Sequence, residues 1–231
     1  MPASENPRHR SIHSFVVRSG RMTQGQQKAF DQYWSEKGLS IDAGFIDHQA
    51  VFGRKAPLIL EIGFGMGASL VQMAEEAPDQ DFIGIEVHRP GIGKLFQGME
   101  ESNVDNIRVY CDDAVEVIKQ CIVDNSLDRV QIYFPDPWHK KKHHKRRLIQ
   151  AEFVSALRQK LKTGAVIHLA TDWEDYAKQM MAVMMAAQGF KNQEEGFCFA
   201  PRPHYRPVTK FEKRGTRLGH GVWDLLFEKT H

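Results

Sequence analysis

The chain has 231 residues, of which 42% are hydrophobic and 26% charged, and its formal net charge is +2. This length suits one domain with a substantial core. No apolar run approaches the ~20 residues that a membrane helix needs, and the N-terminal segment lacks the apolar core of a signal peptide. The three cysteines are widely spaced and form neither a disulfide framework nor a zinc pattern. We therefore expect a globular protein of the reducing cytoplasm.

The predicted elements follow a polar N-terminal segment. Residues 1–23 show no sustained apolar period, and we expect them to form a flexible arm before a domain of residues 24–231. Thr23 is expected to cap a helix that runs through Trp34. From Leu58 onward, the predicted strands are 58–62, 82–86, 107–111, 130–134, 164–170, 197–201 and 221–227. The predicted helices between them are 68–77, 92–101, 114–122, 147–161 and 173–187.

This alternation of strands and helices is typical of parallel βαβ units. We predict an α/β fold whose doubly wound, mostly parallel sheet is completed by antiparallel C-terminal strands. The sequence shows no internal repeat at solenoid spacing.

A glycine loop, residues 63–67, lies between the first long strand and the next helix. Gly63, Gly65 and Gly67 allow a tight turn and the close approach of a ligand to the backbone. The loop also satisfies the dinucleotide-binding pattern, which is weak evidence by itself. Glu61 lies two residues before the first glycine, where a carboxylate would repel a pyrophosphate and attract a cationic group. Alternatively, Glu61 is an ordinary acid at a strand end.

Further acids follow the next two strands. Glu86 ends the second strand, where an acid can hold both hydroxyls of a ribose. Asp112 and Asp113 follow the third, where a carboxylate can accept a hydrogen bond from an adenine amino group. Together with Glu61, these acids predict a pocket for an adenosine that carries a positively charged tail and no phosphate, as in S-adenosylmethionine.

A carboxylate between two prolines follows the fourth strand. Asp136 falls on the same edge of the sheet as the other acids, and Pro135 and Pro137 fix the backbone angles beside it. Trp138 either stacks on a base or packs under the loop. Asp172 follows the fifth strand, where it faces the same cleft, caps the following helix, or does both.

A basic run, residues 140–147, comes directly afterwards. Its side chains are all cationic or titratable, which suits phosphate contact and favours a nucleic-acid partner over a solubilising loop. Metal binding by its histidines is disfavoured, because the lysines would repel a dication and no cysteine or carboxylate pattern completes a site. A second charged segment, residues 209–215, either is an exposed connection or closes over the substrate.

Four segments together closely resemble the bacterial tRNA (guanine-N7-)-methyltransferases, the TrmB family: residues 61–67, 134–139 with the basic run, 170–173 and 209–212. The resemblance extends from about residue 18 to the C-terminus. Its Pro-Asp-Pro-Trp and Thr-Lys-Phe-Glu segments are specific to the family, whereas the glycine loop marks only the wider class. The resemblance implies a Rossmann-like class I methyltransferase fold, S-adenosylmethionine as cofactor and tRNA as partner. Its implied target is guanine 46 in the tRNA variable loop.

The resemblance also implies roles for individual residues. Asp136 would be the catalytic acid residue and a cofactor contact. The other implied cofactor contacts are Glu61, Gly63, Gly65, Gly67, Glu86 and Asp113. The implied substrate contacts are Lys140, Asp172, Thr209, Lys210, Phe211 and Glu212, and the implied RNA-interaction stretch is Lys142, His143, His144, Lys145, Arg146 and Arg147. We expect no metal and no membrane association, and a monomer with a homodimer as the alternative.

Guanine N7 has a lone pair and no proton, so methylation there needs no obligatory general base. We therefore expect Asp136 to orient the guanine and to stabilise the positive charge that develops on the purine. Three alternatives stay open at this point. They are an NAD-dependent oxidoreductase, a non-enzymatic RNA-binding module, and a methyltransferase for proteins or small molecules.

Overall fold

The computed structural model describes residues 14–15, 20–208, 212 and 221–231. The helices within them are α1 (Gln24–Lys37), α2 (His48–Phe52), α3 (Ala68–Glu76), α4 (Arg89–Glu101), α5 (Ala114–Gln120), α6 (Ala151–Lys160) and α7 (Glu174–Ala186). The strands are β1 (Gly38–Leu39), β2 (Leu58–Ile62), β3 (Asp81–Ile85), β4 (Ile107–Tyr110), β5 (Leu127–Tyr133), β6 (Leu161–Thr171), β7 (Phe190–Asn192) and β8 (Trp223–Lys229). Two short 3₁₀ segments, Ile41–Ala43 and Lys141–Arg146, complete the list.

The described strands form one sheet in the order β1-β4-β3-β2-β5-β6-β8-β7. Strands β1 to β6 pair in parallel, whereas β8 pairs antiparallel with both β6 and β7. The chain proceeds from β2 outward to β3 and β4 and then returns to the other side of β2 as β5. The switch point of the sheet therefore lies between β2 and β5, and ligands of such sheets bind beyond the carboxyl ends of the strands at this point. The predicted fold class is confirmed.

The central strands are apolar on both faces and are buried on both. All five residues of β2 and all five of β3 are buried. Leu60 and Ile83 belong to the core that contains the apolar faces of α5, α6 and α7. Ile59 and Phe82 point the opposite way, into the core formed with α1, α3 and α4. Each such side chain contributes roughly 1.5–3 kcal/mol on burial, so the three-layer packing fixes the strand ends that carry the site.

Helix α1 begins where the sequence predicts. The Thr23 hydroxyl accepts a hydrogen bond from the Gln26 amide at 3.2 Å, and the Gln26 side chain accepts one from the Thr23 amide at 2.8 Å. This reciprocal capping box satisfies two amides that the helix leaves unpaired. The helix continues past Trp34 to Lys37. Among the described residues, no helix has the length and apolar character needed to cross a membrane.

Two predicted elements are wrong. No strand forms at 197–201, where a single bridge joins Ala200 to Asp224, and β7 instead forms the outer strand. The Asn192 side chain donates hydrogen bonds to the carbonyls of Gly196 and Cys198 at 2.9 and 3.0 Å, which stabilises a turn in that region.

The helix predicted at 147–161 begins later, at Ala151, because the backbone at Arg147 is extended. Leu161 already belongs to β6. β1 and α2 have no counterpart among the predicted elements. Most of the predicted arm lies outside the described residues, as do Thr209, Lys210 and Phe211.

Candidate active site

The glycine loop joins β2 to α3 at the switch point. Gly63, Gly65 and Gly67 have φ values of 76°, 61° and 76°, in the left-handed region that favours glycine. A Cβ added at Gly63 or Gly65 would meet no atom within 4 Å, so the backbone there borders open space. A Cβ at Gly67 would lie 2.5 Å from Leu95 Cδ1, so this glycine is required for packing against α4.

The first turn of α4 and the end of β3 brace the glycine loop. A Cβ added at Gly91 would lie 2.0 Å from the Gly65 carbonyl oxygen, closer than any real contact. Glu86 follows β3, and its two carboxylate oxygens accept hydrogen bonds from the amides of Gly65 at 2.8 Å and His88 at 3.0 Å. Glu86 therefore ties the loop to the strand end while keeping lone pairs for a ligand.

Glu61 is a buried acid within β2. It pairs across the strands with Gln131 of β5, whose side-chain amide donates a hydrogen bond to its carboxylate at 2.9 Å. Burial raises the pKa of Glu61 to about 7, against the opposing effects of this hydrogen bond and of the Arg129 charge. A nearby cation would therefore stabilise the ionised form of the Glu61 carboxyl group.

Two acids follow β4. The Asp113 carboxylate caps α5 by accepting a hydrogen bond from the Val115 amide at 2.9 Å. Burial, reinforced by the charge of Asp42, raises the pKa of the adjacent Asp112. Glu61, Glu86 and Asp113 consequently stand at or just after the ends of β2, β3 and β4, in the arrangement that the sequence predicts for one pocket.

The Asp136 loop, residues 134–139, follows β5 on the other side of the switch point. Asp136 is exposed, and no described residue donates a hydrogen bond to its carboxylate. Phe134 and Trp138, which flank the Pro-Asp-Pro segment, have φ values of 52° and 46°. Such left-handed conformations cost of order 1–3 kcal/mol each in residues other than glycine, so the surrounding contacts must hold the loop in place.

Arg147 supplies one of those contacts. Its Nε donates a hydrogen bond to the Pro137 carbonyl at 2.8 Å, and its terminal nitrogens donate to Gln179 and Asp175 of α7 at 2.5 and 2.6 Å. Arg147 is only 2% exposed. Although Arg147 was predicted within the RNA-interaction stretch, its guanidinium forms these hydrogen bonds within the protein and holds the Asp136 loop against α7.

The remainder of the basic run lies at the surface. Lys140, Lys142 and Lys145 are exposed, whereas His143, His144 and Arg146 are half-buried. Desolvation, followed by the surrounding lysine and arginine charges, lowers the pKa of His143. In the part of the chain that is described, no group of three or more His, Cys, Asp or Glu side chains could hold a metal ion.

Trp138 is half-buried and packs against the basic run that follows the loop. Its ring centroid lies 4.5 Å from the Arg146 guanidinium carbon and 5.9 Å from the His143 ring centroid. Its Nε1 donates a hydrogen bond to the Ser14 carbonyl at 3.1 Å. The N-terminal segment therefore reaches the Asp136 loop at this point.

A different tryptophan is available for stacking. Trp173 is 38% exposed, and its ring stacks on that of His139 with centroids 4.2 Å apart and an interplanar angle of 4°. The pair joins the Asp136 loop to the segment after β6. Asp172, next to it, is exposed, and the N-cap of α7 is Trp173, so the reading of Asp172 as the cap is wrong. The sequence showed Trp173 beside Asp172 but gave no sign of its partner.

Glu212 lies apart from these exposed groups. It is 8% exposed, and both of its carboxylate oxygens pair with the Arg206 guanidinium, at 2.7 and 3.0 Å. The other residues of the predicted Thr-Lys-Phe-Glu substrate segment lie outside the described ranges.

Comparison with known proteins identifies the family. The chain is 59% identical over 220 residues to the tRNA (guanine-N(7)-)-methyltransferase of Alcanivorax borkumensis, covering 95% of this chain and 92% of the relative. It is 60% identical over 222 residues to the enzyme of the same name from Marinobacter nauticus, covering 96% and 93%. The chain belongs to the tRNA (guanine-N7-)-methyltransferase family.

A family model and two solved structures also match the chain. Residues 55–225 match the Methyltransf_4 family model, described as "Putative methyltransferase". The solved structure of the 16S rRNA methyltransferase KamB superposes with a TM-score of 0.58 at 13% identity, covering 81% of this chain and 95% of that one. An rRNA methylase from Streptococcus thermophilus gives a TM-score of 0.51 at 11% identity, with coverage of 76% and 88%. At these identities the likeness concerns the fold.

Proposed function

We propose that the protein transfers a methyl group from S-adenosylmethionine to N7 of a guanine in tRNA, with guanine 46 of the variable loop as the target. One observation carries the proposal. The glycine loop and Glu61 lie at the carboxyl end of β2, Glu86 and Asp113 follow β3 and β4, and the exposed Asp136 follows the neighbouring β5, ahead of the exposed lysines of the basic run. The names of the close relatives support the same reaction.

The residues present fit S-adenosylmethionine. The open backbone at Gly63 and Gly65 leaves room for a ligand, and Glu86 keeps lone pairs for ribose hydroxyls. Glu61 would interact favourably with the ammonium group of the cofactor, whereas a pyrophosphate would face repulsion from neighbouring acids. Asp113 would accept from the adenine amino group. When bound, the cofactor supplies an electrophilic methyl group.

The side chains at the Asp136 loop suit attack by N7. Because N7 loses no proton, none of them needs to act as a base. The Asp136 carboxylate would orient the guanine and stabilise the positive charge that spreads onto the purine during transfer. Asp172 would accept hydrogen bonds from the Watson–Crick edge, where N1–H and the 2-amino group are donors. Lys140 would contact a phosphate or the O6 side.

The RNA surface follows from exposure and charge. Lys142 and Lys145 are exposed and suit phosphate contacts, which set affinity without reading sequence. The major groove of an A-form helix is deep and narrow, so the guanine must be exposed or turned out before N7 can react. The exposed Trp173 would stack on the displaced base.

The proposal extends to the whole chain. Residues 24–231 would form the catalytic domain and residues 1–23 an arm, and the contact between Trp138 and Ser14 supports an arm that reaches the site. We further propose a monomer that acts in the cytoplasm, where tRNA is modified.

The test is Asp136→Asn in a single-turnover assay with saturating S-adenosylmethionine and tRNA, with the methylated base mapped by mass spectrometry. We expect the wild type to produce 7-methylguanosine and the variant to lose at least about 100-fold in rate, because one preorganised electrostatic group is typically worth 10²–10³. Its affinity for tRNA should stay near that of the wild type. Asp79→Asn is the matched control, since Asp79 is exposed and precedes the amino end of β3. A wild-type rate in Asp136→Asn would contradict the assigned role, and methylation at another atom would contradict the function.

A further inference from the structure

Buried polar side chains contact one another across the sheet, from β2 through β5 and β6 to β8. We call this set the polar chain; its members are Glu61, Gln131, Tyr133, His168, Asp224, Arg206 and Glu212, each 8% exposed or less. One end is the acid before the glycine loop. The other end is the acid of the segment that the family resemblance assigns to the tRNA.

Arg206 lies at the centre of the half of the polar chain that ends at Glu212. Its guanidinium donates to both oxygens of Glu212, at 2.7 and 3.0 Å, and to both oxygens of Asp224, at 2.7 and 2.8 Å. Only the planar fork of an arginine can serve two carboxylates in this way, because the lysine ammonium is a compact point charge. Arg206 therefore fixes the position of Glu212 relative to the last strand of the sheet.

Arg206 also contacts the start of the Asp136 loop. Its Cζ lies 5.7 Å from the ring centroid of Phe134 and 5.9 Å from that of Tyr133. These distances are within the range of cation–π interactions. One buried side chain thus connects Glu212, β8 and the residue whose left-handed backbone begins the Asp136 loop.

The other half of the polar chain leads from His168 to Glu61, the proposed cofactor contact. His168 Nε2 lies 2.7 Å from Asp224 and therefore carries the hydrogen, since a carboxylate only accepts. Burial lowers the pKa of His168, which favours the neutral ring, so Nδ1 accepts from the Tyr133 hydroxyl at 2.9 Å. The side-chain oxygen of Gln131 lies 3.3 Å from the same Tyr133 hydroxyl and competes with His168 for its one hydrogen, while the Gln131 amide nitrogen donates to Glu61 at 2.9 Å.

Such a series is an expensive way to stabilise a fold. Burying charged groups costs several kcal/mol per ion, and well-packed apolar residues often serve equally well, so buried ion pairs are weak evidence for stability. A fully satisfied polar network does, however, fix the relative positions of its members. Here one end of the network is Glu61, a proposed cofactor contact, and the other is Glu212, which the family resemblance assigns to the substrate.

We propose that Arg206 is a positioning residue for methyl transfer, because it fixes Glu212 relative to the Asp136 loop. The inference rests on the proposed function. It predicts that losing the arginine fork slows the transfer step and leaves cofactor binding intact.

The experiment compares Arg206→Lys, Glu212→Gln and the double variant in the full-length protein. The readouts are the single-turnover rate at saturating tRNA and S-adenosylmethionine, the affinity for S-adenosylhomocysteine, and the Tm. Arg54→Lys is the matched control, because Arg54 pairs with the buried Asp81 at 2.6 Å, at the opposite end of the strands.

We expect Arg206→Lys to lower the rate by roughly 10- to 100-fold, as small misplacements of reacting groups do, while cofactor affinity changes by less than about twofold. The double variant should be no slower than Glu212→Gln alone, because Arg206 acts through Glu212. Arg54→Lys should change only the Tm.

Three results would overturn the inference: a wild-type rate in folded Arg206→Lys with only a lower Tm, losses that multiply in the double variant, or a wild-type rate in Glu212→Gln. The last variant decides the question if Arg206→Lys does not fold. Failure of the wild type to methylate N7 would instead refute the proposed function.

Discussion

Glu61→Gln tests whether a buried carboxyl group is reserved for a cationic ligand. The pKa of Glu61 lies near 7 in the folded protein, against an ordinary value of 4.5, because the group is buried. Between these two values the folded chain keeps a proton that the unfolded chain has lost. An acid with a raised pKa therefore makes folding less favourable as pH rises through this window.

The magnitude follows from the shift. A pKa raised from 4.5 to about 7 corresponds to about 3 kcal/mol, most of which develops between pH 5 and pH 8. Glutamine has nearly the same shape and does not titrate, and its carbonyl oxygen can still accept from Gln131. The ligand-free variant should therefore gain roughly 2 to 3 kcal/mol of unfolding free energy relative to the wild type between pH 5 and pH 8.

Urea denaturation of both ligand-free proteins at pH 5 and pH 8 measures this difference, with Glu75→Gln on the exposed face of α3 as the control. Adding S-adenosylmethionine at pH 8 should reduce the advantage of Glu61→Gln, because a cationic ligand favours the ionised wild-type carboxylate. A stability difference that is the same at both pH values would refute the reasoning.

Three further predictions concern the glycine loop, the stacking surface and the basic run. Gly91→Ala would place a Cβ 2.0 Å from a carbonyl oxygen of the glycine loop, so S-adenosylhomocysteine titration should show a large loss of affinity. Gly98→Ala, on the same helix, would place its Cβ 3.2 Å from a side-chain methyl group of Val71 and away from the loop, so this variant should bind normally. Trp173→Ala should weaken productive tRNA binding by roughly 10- to 100-fold, which is the contribution of one base–aromatic stack. If the variant and the wild type had the same KM for tRNA, stacking by Trp173 would be contradicted. Lys142→Gln combined with Lys145→Gln should lower tRNA affinity and reduce the slope of log K against log salt by roughly 1.5, whereas an unchanged slope would indicate a merely solubilising surface.

Much of the fold is predictable because its signals are local. The capping box at Thr23, the apolar runs of β2 and β3 and the glycine loop all lie within short windows of sequence. The position of the acids follows from topology, because the carboxyl ends of parallel strands share one edge. For this reason the sequence predicts that Glu61, Glu86 and Asp113 share one edge of the sheet, and in the structure they lie at or just after the ends of β2, β3 and β4.

The remaining features depend on partners far away in the sequence. Within a uniform basic run, nothing local distinguishes Arg147, whose burial depends on Asp175 and Gln179 of α7. The stacking of Trp173 on His139 likewise joins two separate loops. Arg206 could not be recognised as a central residue, because its two carboxylate partners come from different segments and only the fold brings them together.

The order of the strands also bears on aggregation. In the described part of the chain the native sheet is bounded by very short strands, β1 with two residues and β7 with three, which offer little for another molecule to pair with. The eleven-residue β6 is protected only when β8 pairs with it, and β8 follows all the other described strands in the sequence. A folding intermediate without β8 exposes a long unpaired edge, so the risk of intermolecular strand pairing is concentrated in the final step of sheet assembly.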